Sequence, residues 1–216
     1  THGKNASLNV TFHATTGSIP TRKLADILSD ATYLINMPLL KGHSGDSAMP
    51  VTLGFKNHCG SIDYVYASSA PSSLHSYMEV ANSYYRQAYS PLVDIFLNTN
   101  IKDKTILTIG DGLFGSLGGQ GVDGAWSVFG NQAANSLFFA VDPVAIDCVM
   151  ADIIKAETPL RGWGGFTTPR AYDYMFQAQS SGLGVVEGTP ASPGGKPFQA
   201  PYGSGYTQIT YIRRDI

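Results

Sequence analysis

The chain has 216 residues, a formal net charge of −2 at pH 7, and 14% charged residues. This length is enough for one sizeable hydrophobic core, so we expect residues 1–216 to form a single domain. The small net charge gives no electrostatic basis for binding nucleic acid, and no nucleic-acid partner is expected. The longest apolar stretch, residues 137–144, contains Asp142 and is too short for a membrane span.

Composition and the first residues bear on the cellular compartment. The low charge, with 24 Gly, 12 Pro and 12 Tyr, favours an exported or extracytoplasmic protein over a cytoplasmic one. The chain begins at Thr1, which predicts a removed leader, a longer precursor of which this is the C-terminal part, or an incomplete chain. Asn5 and Asn9 each begin an N-glycosylation pattern, although such a short pattern also arises by chance.

The first half of the chain predicts two strands and three helices. The alternating segment 8–12 indicates a strand, and Ser18 with Pro20 indicates the start of a helix that continues through 21–30. The apolar run 31–40 predicts a buried strand that ends at Met37. Residues 74–98 have helical spacing, with a second helix beginning at Pro91.

The second half continues the alternation of strands and helices. We expect a buried strand at 105–109, a glycine-rich loop from Gly110 to Gly124, a strand at 136–142, helices after Pro143 and over 169–182, an irregular Gly/Pro-rich segment at 187–205, and a terminal strand at 206–212. This order predicts an α/β fold, in which a mixed or mostly parallel sheet is covered by helices and many residues lie in loops.

The candidate site lies at strand ends. The predicted strands at 31–37 and 105–109 both finish in polar, glycine-bearing segments. Ligands of open α/β sheets bind beyond the carboxyl ends of the strands. If these two strands are parallel neighbours, Lys41, His43 and Asp111 lie near one crevice.

Lysine and histidine are concentrated in a short region of this weakly charged chain. Lys41, His43, Lys56 and His58 fall within eighteen residues. Such groups suit a small anionic ligand, a carboxylate or a phosphate, and we take Lys41, His43 and Lys56 as candidate catalytic residues with Asp111 and Asp147. The alternative is a solvated loop whose cations face water.

A metal ion and a thiol nucleophile are two further alternatives. His43 and Asp111 are candidate ligands of a divalent metal, but the spacing matches no established zinc pattern, and the cofactor stays unknown. Lys56 and His58 could lower the pKa of Cys59. His58 is a poor base for Cys59, because adjacent residues on a regular element point apart.

The glycine run after the strand at 105–109 matches the spacing of a dinucleotide-binding motif over residues 110–115. No helical pattern follows at once, which is the context that the motif needs. We therefore interpret Gly110 and Gly112 as part of a mobile loop that covers a ligand.

Two aspartates belong to the apolar helix after Pro143. Asp142 is placed as its N-cap. Asp147 lies among apolar residues, where an ionised carboxylate needs a cation or several donors. We predict that Asp147 is buried and touches Lys41, Lys56 or a metal that they border.

The chain has two cysteines, Cys59 and Cys148. They are too few for a cubane iron–sulfur cluster, so none is expected within this chain. They could form one disulfide after export or remain as buried thiols, and the apolar surroundings of Cys148 favour the thiols.

Four segments together carry a resemblance to a family. ATYLINMPLLKGH, VTLGFKNHCGSID, LTIGDGLFG and FFAVDPVAIDCVMADII, in this order, resemble the domain-of-unknown-function 362 family over residues 20–185. The resemblance implies an α/β fold and no settled reaction. Family members often carry a separate cluster domain, which implies a link to redox chemistry, and a longer region before the lysine–histidine motif. This chain has no cluster cysteines and little of that region, which implies that Thr1 lies within a longer precursor. The matching positions are Lys41, His43, Lys56, Asn57, Asp111, Asp142 and Asp147.

Two functions follow as hypotheses. The first is an enzyme or binding protein for a small anionic ligand in a Lys/His/Asp crevice, with Asn57, Gly110, Gly112 and Asp142 as further binding positions. The second is a non-catalytic exported binding or assembly module, with 64–73 and 187–205 as contact surfaces. A homo-oligomer or a missing N-terminal region is compatible with either.

Overall fold

The computed structural model describes residues 3–13, 21–43, 51–63, 90–118, 122–161 and 169–216. Its strands are β1 (Lys4–Val10), β2 (Arg22–Ala25), β3 (Leu34–Asn36), β4 (Leu39–Gly42), β5 (Val51–Thr52), β6 (Thr105–Ser116), β7 (Ser136–Ala140), β8 (Gly188–Thr189) and β9 (Ser192–Pro193). Its α-helices are α1 (Asp26–Asp30), α2 (Gly54–Asn57), α3 (Pro91–Phe96), α4 (Thr99–Lys102), α5 (Pro143–Glu157) and α6 (Asp173–Ser180). None of these helices has the length and hydropathy to cross a membrane.

The main sheet is mixed and is built around β6. Strands β3 and β4 follow one another along one edge of β6 and run parallel to it, while β7 runs antiparallel along the other edge. Strand β5 pairs antiparallel with β4. The α/β fold expected from the alternation of elements is therefore present. The strands at 31–37 and 105–109 are parallel neighbours, as the site prediction required.

Helix α5 covers one face of this sheet. A Cβ atom at Gly110 would lie 2.6 Å from the Met150 sulfur, and one at Gly112 would lie 2.7 Å from the Phe138 ring. No side chain fits between β6 and these neighbours, so glycine at both positions permits close packing of helix, strand and sheet. The core of the protein lies between this sheet face and α5.

Within the described ranges, the opposite face of the sheet is open. Side chains alternate along β3 and β4, so that Asn36, Leu40 and Gly42 are buried against α2 and α5 while their neighbours point the other way. The exposed apolar side chains on the open face are Ile35, Met37, Leu39, Leu137 and Phe139. The strands at 31–37 and 105–109 are predicted to be buried, and this prediction is wrong for the side chains on the open face.

Four acidic residues at five-residue intervals organise the segments around α5. Each accepts a backbone N–H from a different segment of the chain. Asp142 binds Val185, and Asp147 binds Gly54 and Phe55. Asp152 binds Gly195, and Glu157 binds Ser127 and Val128. Five residues correspond to a turn of about 140° around an α-helix, so the carboxylates point to different sides. Helix α5 and its N-cap residue thus hold four other segments of the chain through side-chain carboxylates.

The segment after α6 is held by carboxylates rather than by a sheet. Glu187 accepts the backbone N–H groups of Thr207, Gln208 and Ile209. These are amides that a neighbouring strand would otherwise bind, and residues 206–212 form no strand. The predicted terminal strand is wrong, because an acidic side chain takes the place of its partner. The irregular segment at 187–205 is confirmed, apart from the short β8–β9 pair.

The helix predicted over residues 21–30 is only partly present. Residues 22–25 form β2, which pairs antiparallel with β1, and only Asp26–Asp30 is helical. Leu24 is fully buried and bridges to Ile62, so tertiary pairing outweighs the helical pattern. The proposed cap at Ser18 and Pro20 and the helix over 74–89 lie outside the described residues.

Other predicted elements agree with the structure. Strand β7, the helix start at Pro91 and the start of α5 at Pro143 with Asp142 as N-cap are confirmed. The helix over 169–182 begins as a 3-10 turn and becomes α-helical only at Asp173–Ser180.

The anchoring role of Asp152 leads to a stability prediction. Its carboxylate accepts the Tyr172 hydroxyl at 2.5 Å, the Tyr206 hydroxyl at 2.6 Å and the Gly195 N–H at 2.7 Å. Asp152→Ala leaves these three donors without their acceptor, and we expect the free energy of unfolding to fall by about 3–5 kcal/mol in urea denaturation.

The control is Asp103→Ala, because the Asp103 side chain is 60% exposed. We expect its effect to stay within about 0.5 kcal/mol. Equal stability losses in the two variants would show that Asp152 does not anchor these segments.

Candidate functional site

The structure divides the predicted site residues between the two faces of the main sheet. Lys41 and Asp111 lie on the open face: Lys41 follows the buried Leu40, and Asp111 is registered with the exposed Leu39 and Leu137. The two Cα atoms are diagonal neighbours on this face, on the order of 8 Å apart. His43 is partly buried and directly follows β4. The predicted grouping of Lys41, His43 and Asp111 at the end of parallel strands is compatible with this placement.

Two hydroxyl residues flank Lys41 in the sheet and were missed by the sequence analysis. Lys41 is registered with Thr52 on β5 and with Ser116 on β6. The hydroxyl oxygens of Thr52 and Ser116 are both buried, and neither has a hydrogen-bond partner within the part of the chain that the structure describes. No sequence motif marks them, because the register of β4 and β6 shifts between Leu39 and Lys41 and sequence does not reveal that shift.

Asp147 lies on the other side of the sheet, where α5 meets α2. Its side chain is fully buried and accepts the Gly54 N–H at 2.8 Å, the Phe55 N–H at 3.1 Å and the Tyr174 hydroxyl at 2.8 Å. The predicted burial is confirmed. The predicted contact with Lys41 or Lys56 is replaced by two backbone amides and a phenol, so Asp147 does not share a site with Asp111.

Burial and hydrogen bonding act in opposite directions on Asp147. Burial raises its pKa from 3.8 to about 6, although the donors Tyr174, Phe55 and Gly54 favour the ionised form. A Cβ atom at Gly54 would lie 2.7 Å from the Asp147 carboxylate, so a larger residue there would displace it. Asp147 therefore fixes the position of α2 against α5.

Two asparagines extend this connection to the sheet. The Asn36 amide donates to the Gly54 carbonyl at 3.0 Å, and the Asn57 amide donates to the Asn36 side-chain oxygen at 2.8 Å. Asn57 was predicted to bind a cofactor. It instead links the end of α2 to β3, while Asn36 was not singled out by the sequence.

The KNHC segment forms the end of α2 and the following 3-10 turn. Burial lowers the His58 pKa to about 4. Burial also raises the Cys59 pKa to about 11, although the charge of the buried Lys56 acts to lower it. Both side chains are therefore neutral at pH 7, and Cys59 is a protonated thiol rather than a nucleophile. His58 accepts or donates a hydrogen bond with Ser61 at 3.1 Å and packs edge-on against Phe96.

Several other predicted binding positions have structural roles. Gly110 and Gly112 belong to β6 rather than to a loop, because β6 continues to Ser116. Asp142 caps α5 by accepting the Val144 and Ala145 N–H groups, as its placement as N-cap predicted. Cys59 and Cys148 are free thiols, in agreement with the favoured alternative.

A metal site has no complete ligand set in the described ranges. No group of three or more His, Cys, Asp or Glu side chains there could hold a metal ion. His43 and Asp111 remain a proposed pair of ligands, and Asp111 accepts the Leu113 N–H at 3.0 Å.

The comparison with known families gives one match. The model of DUF362, a domain of unknown function, matches residues 3–152 and therefore includes both faces of the site. No curated protein matches the sequence. No solved structure matches it either.

The raised pKa of Asp147 predicts a dependence of stability on pH. The pKa of Asp147 is about 6 in the folded protein and 3.8 in an unperturbed carboxyl group. The stability that the protonated Asp147 adds to the fold is therefore fully present below pH 3.8 and is lost as the pH rises through 6. The free energy of unfolding of the wild type, relative to Asp147→Asn, should fall by up to about 3 kcal/mol between pH 4 and pH 7.

Urea denaturation of both proteins at pH 4, 5, 6 and 7 measures this difference, in which the other titrating groups cancel. A difference that is constant over this pH range, or that grows with pH, would contradict the raised pKa of Asp147.

Proposed function

Since the chain belongs to the DUF362 family, a domain of unknown function, we propose from its own geometry that the protein binds a small anionic ligand beside Lys41. The ligand carries a carboxylate or phosphoryl group. The observation that carries this proposal is the position of Lys41 at the carboxyl ends of two parallel strands, β4 and β6.

Three features of this position support an anion site. The carboxyl ends of parallel strands are the usual ligand-binding edge of an α/β sheet. Lys41 supplies a positive charge with three donors, and its partly buried position strengthens its interaction with an anion relative to one in open water. His43 follows directly and is the candidate proton carrier if the bound ligand reacts.

The predicted site residues on the α5 side of the sheet do not contribute to this ligand site. Asp147 binds protein groups, Asn57 binds Asn36, and Cys59 is a protonated thiol. The proposal is therefore confined to the open face and the β4–β6 edge. Within it, Asp111 contributes negative charge near Lys41 and favours a ligand that also presents a cationic or hydrogen-bond-donating group.

Removing the positive charge of Lys41 tests the proposal. Inorganic phosphate and malonate are titrated at constant ionic strength into the wild type and Lys41→Met, which keeps most of the side-chain length. We expect a dissociation constant at least about tenfold higher for the variant, since a charge-assisted hydrogen bond contributes about 1.5–3 kcal/mol.

Lys102→Met is the matched control, because Lys102 is an exposed lysine on α4. Its affinity for both anions should equal that of the wild type. If neither anion binds to the wild type, or if the two variants lose affinity equally, Lys41 does not form an anion site.

A further inference from the structure

We propose that the ligand of this site is an oxyanion that binds Thr52 and Ser116 as well as Lys41. Both hydroxyls donate hydrogen bonds to it, one on each side of the Lys41 ammonium. This inference rests on the proposed function. It adds two binding residues and a ligand geometry that the charge of Lys41 does not specify.

The first argument is the state of the two hydroxyls. Ser116 is 6% exposed, and the hydroxyl oxygens of both residues are buried without a hydrogen-bond partner in the described part of the chain. Buried hydroxyls are normally hydrogen-bonded, because an unsatisfied one destabilises the fold. Two such hydroxyls beside one lysine indicate groups whose partner is a ligand.

The second argument is their placement. Thr52, Lys41 and Ser116 occupy registered positions on the adjacent strands β5, β4 and β6. Registered side chains on adjacent strands point to the same face, so Thr52 and Ser116 lie on the face of Lys41.

The third argument is the distance to be spanned. Neighbouring strands are about 4.8 Å apart, so the Cα atoms of Thr52 and Ser116 are about 10 Å apart with Lys41 between them. Two short side chains that lean toward the centre leave a gap of about 6–8 Å between their oxygens. Two oxygens of one anion, each about 2.7 Å from a hydroxyl, span such a gap when the anion lies beside the Lys41 methylene stem, which leaves the middle strand between the two hydroxyls.

Lys41 provides the third contact to the anion. Its ammonium reaches the same anion from the middle strand, so the charge is neutralised where the two hydroxyls fix the orientation. A carboxylate and a phosphoryl group share this pair of acceptor oxygens, and the titration of malonate against phosphate distinguishes the two sources.

Two isosteric variants test the inference. Thr52→Val and Ser116→Ala remove the hydroxyls and keep the packing. We expect each to raise the dissociation constant of phosphate or malonate about tenfold. In chloride buffer without either anion, the melting temperature should stay the same or rise, because an unsatisfied buried group has been removed.

The controls are Thr105→Val and Ser136→Ala, whose hydroxyls donate to the Ile101 and Ala134 carbonyls at 2.7 Å and 2.6 Å. These variants should lower the melting temperature and leave anion affinity unchanged. This contrast separates hydroxyls that serve the fold from hydroxyls that serve a ligand.

Three results would contradict the inference, and they show whether the proposed function fails with it. Unchanged affinity in both Thr52→Val and Ser116→Ala overturns the inference, and the proposed function stands if Lys41→Met still loses binding. Melting temperatures that fall as in the controls, with affinity unchanged, assign the hydroxyls to the fold. Absence of binding to the wild type overturns both proposals.

Discussion

The arrangement of this protein depends on carboxylates that bind backbone amides. Asp147, Asp152 and Glu157 on α5 are almost fully buried, and the partners seen for them are N–H groups and tyrosine hydroxyls. A buried carboxylate is tolerated when several donors meet it, and each such contact fixes a loop that has no regular pairing of its own. In a chain with 14% charged residues, much of the acidic charge on α5 is therefore used for architecture.

This use of charge also separates structure from the candidate function. On the α5 side of the sheet, Asp147 and Asn57 bind protein groups, and burial keeps His58 and Cys59 neutral. On the other side, Lys41 lies between two buried hydroxyls that have no partner in the described ranges. Buried hydroxyls are normally hydrogen-bonded, and these two are unsatisfied on either side of one lysine. This physical difference directs the proposal to Lys41.

The glycines of β6 connect the two sides. Gly110 leaves no space for a side chain between the sheet and α5, and Gly112 leaves none beside Phe138 of β7. Gly115, with φ of +78°, adopts a conformation that other residues rarely tolerate. Near Gly115 the register with β4 shifts, so that Ser116 rather than an earlier residue lies beside Lys41. The glycine run thus shapes the site through backbone geometry rather than through a mobile loop.

The sequence by itself determined the α/β class, the cap and burial of α5 and the burial of Asp147, because these follow from local periodicity and from capping chemistry. Only the tertiary structure decided that Asp147 binds Gly54, Phe55 and Tyr174 rather than a lysine, and that residues 206–212 pair with a carboxylate rather than a strand. It also decided which face of the sheet each residue occupies. Strand register and the choice of hydrogen-bond partner depend on contacts between residues far apart in the chain, which local patterns do not encode.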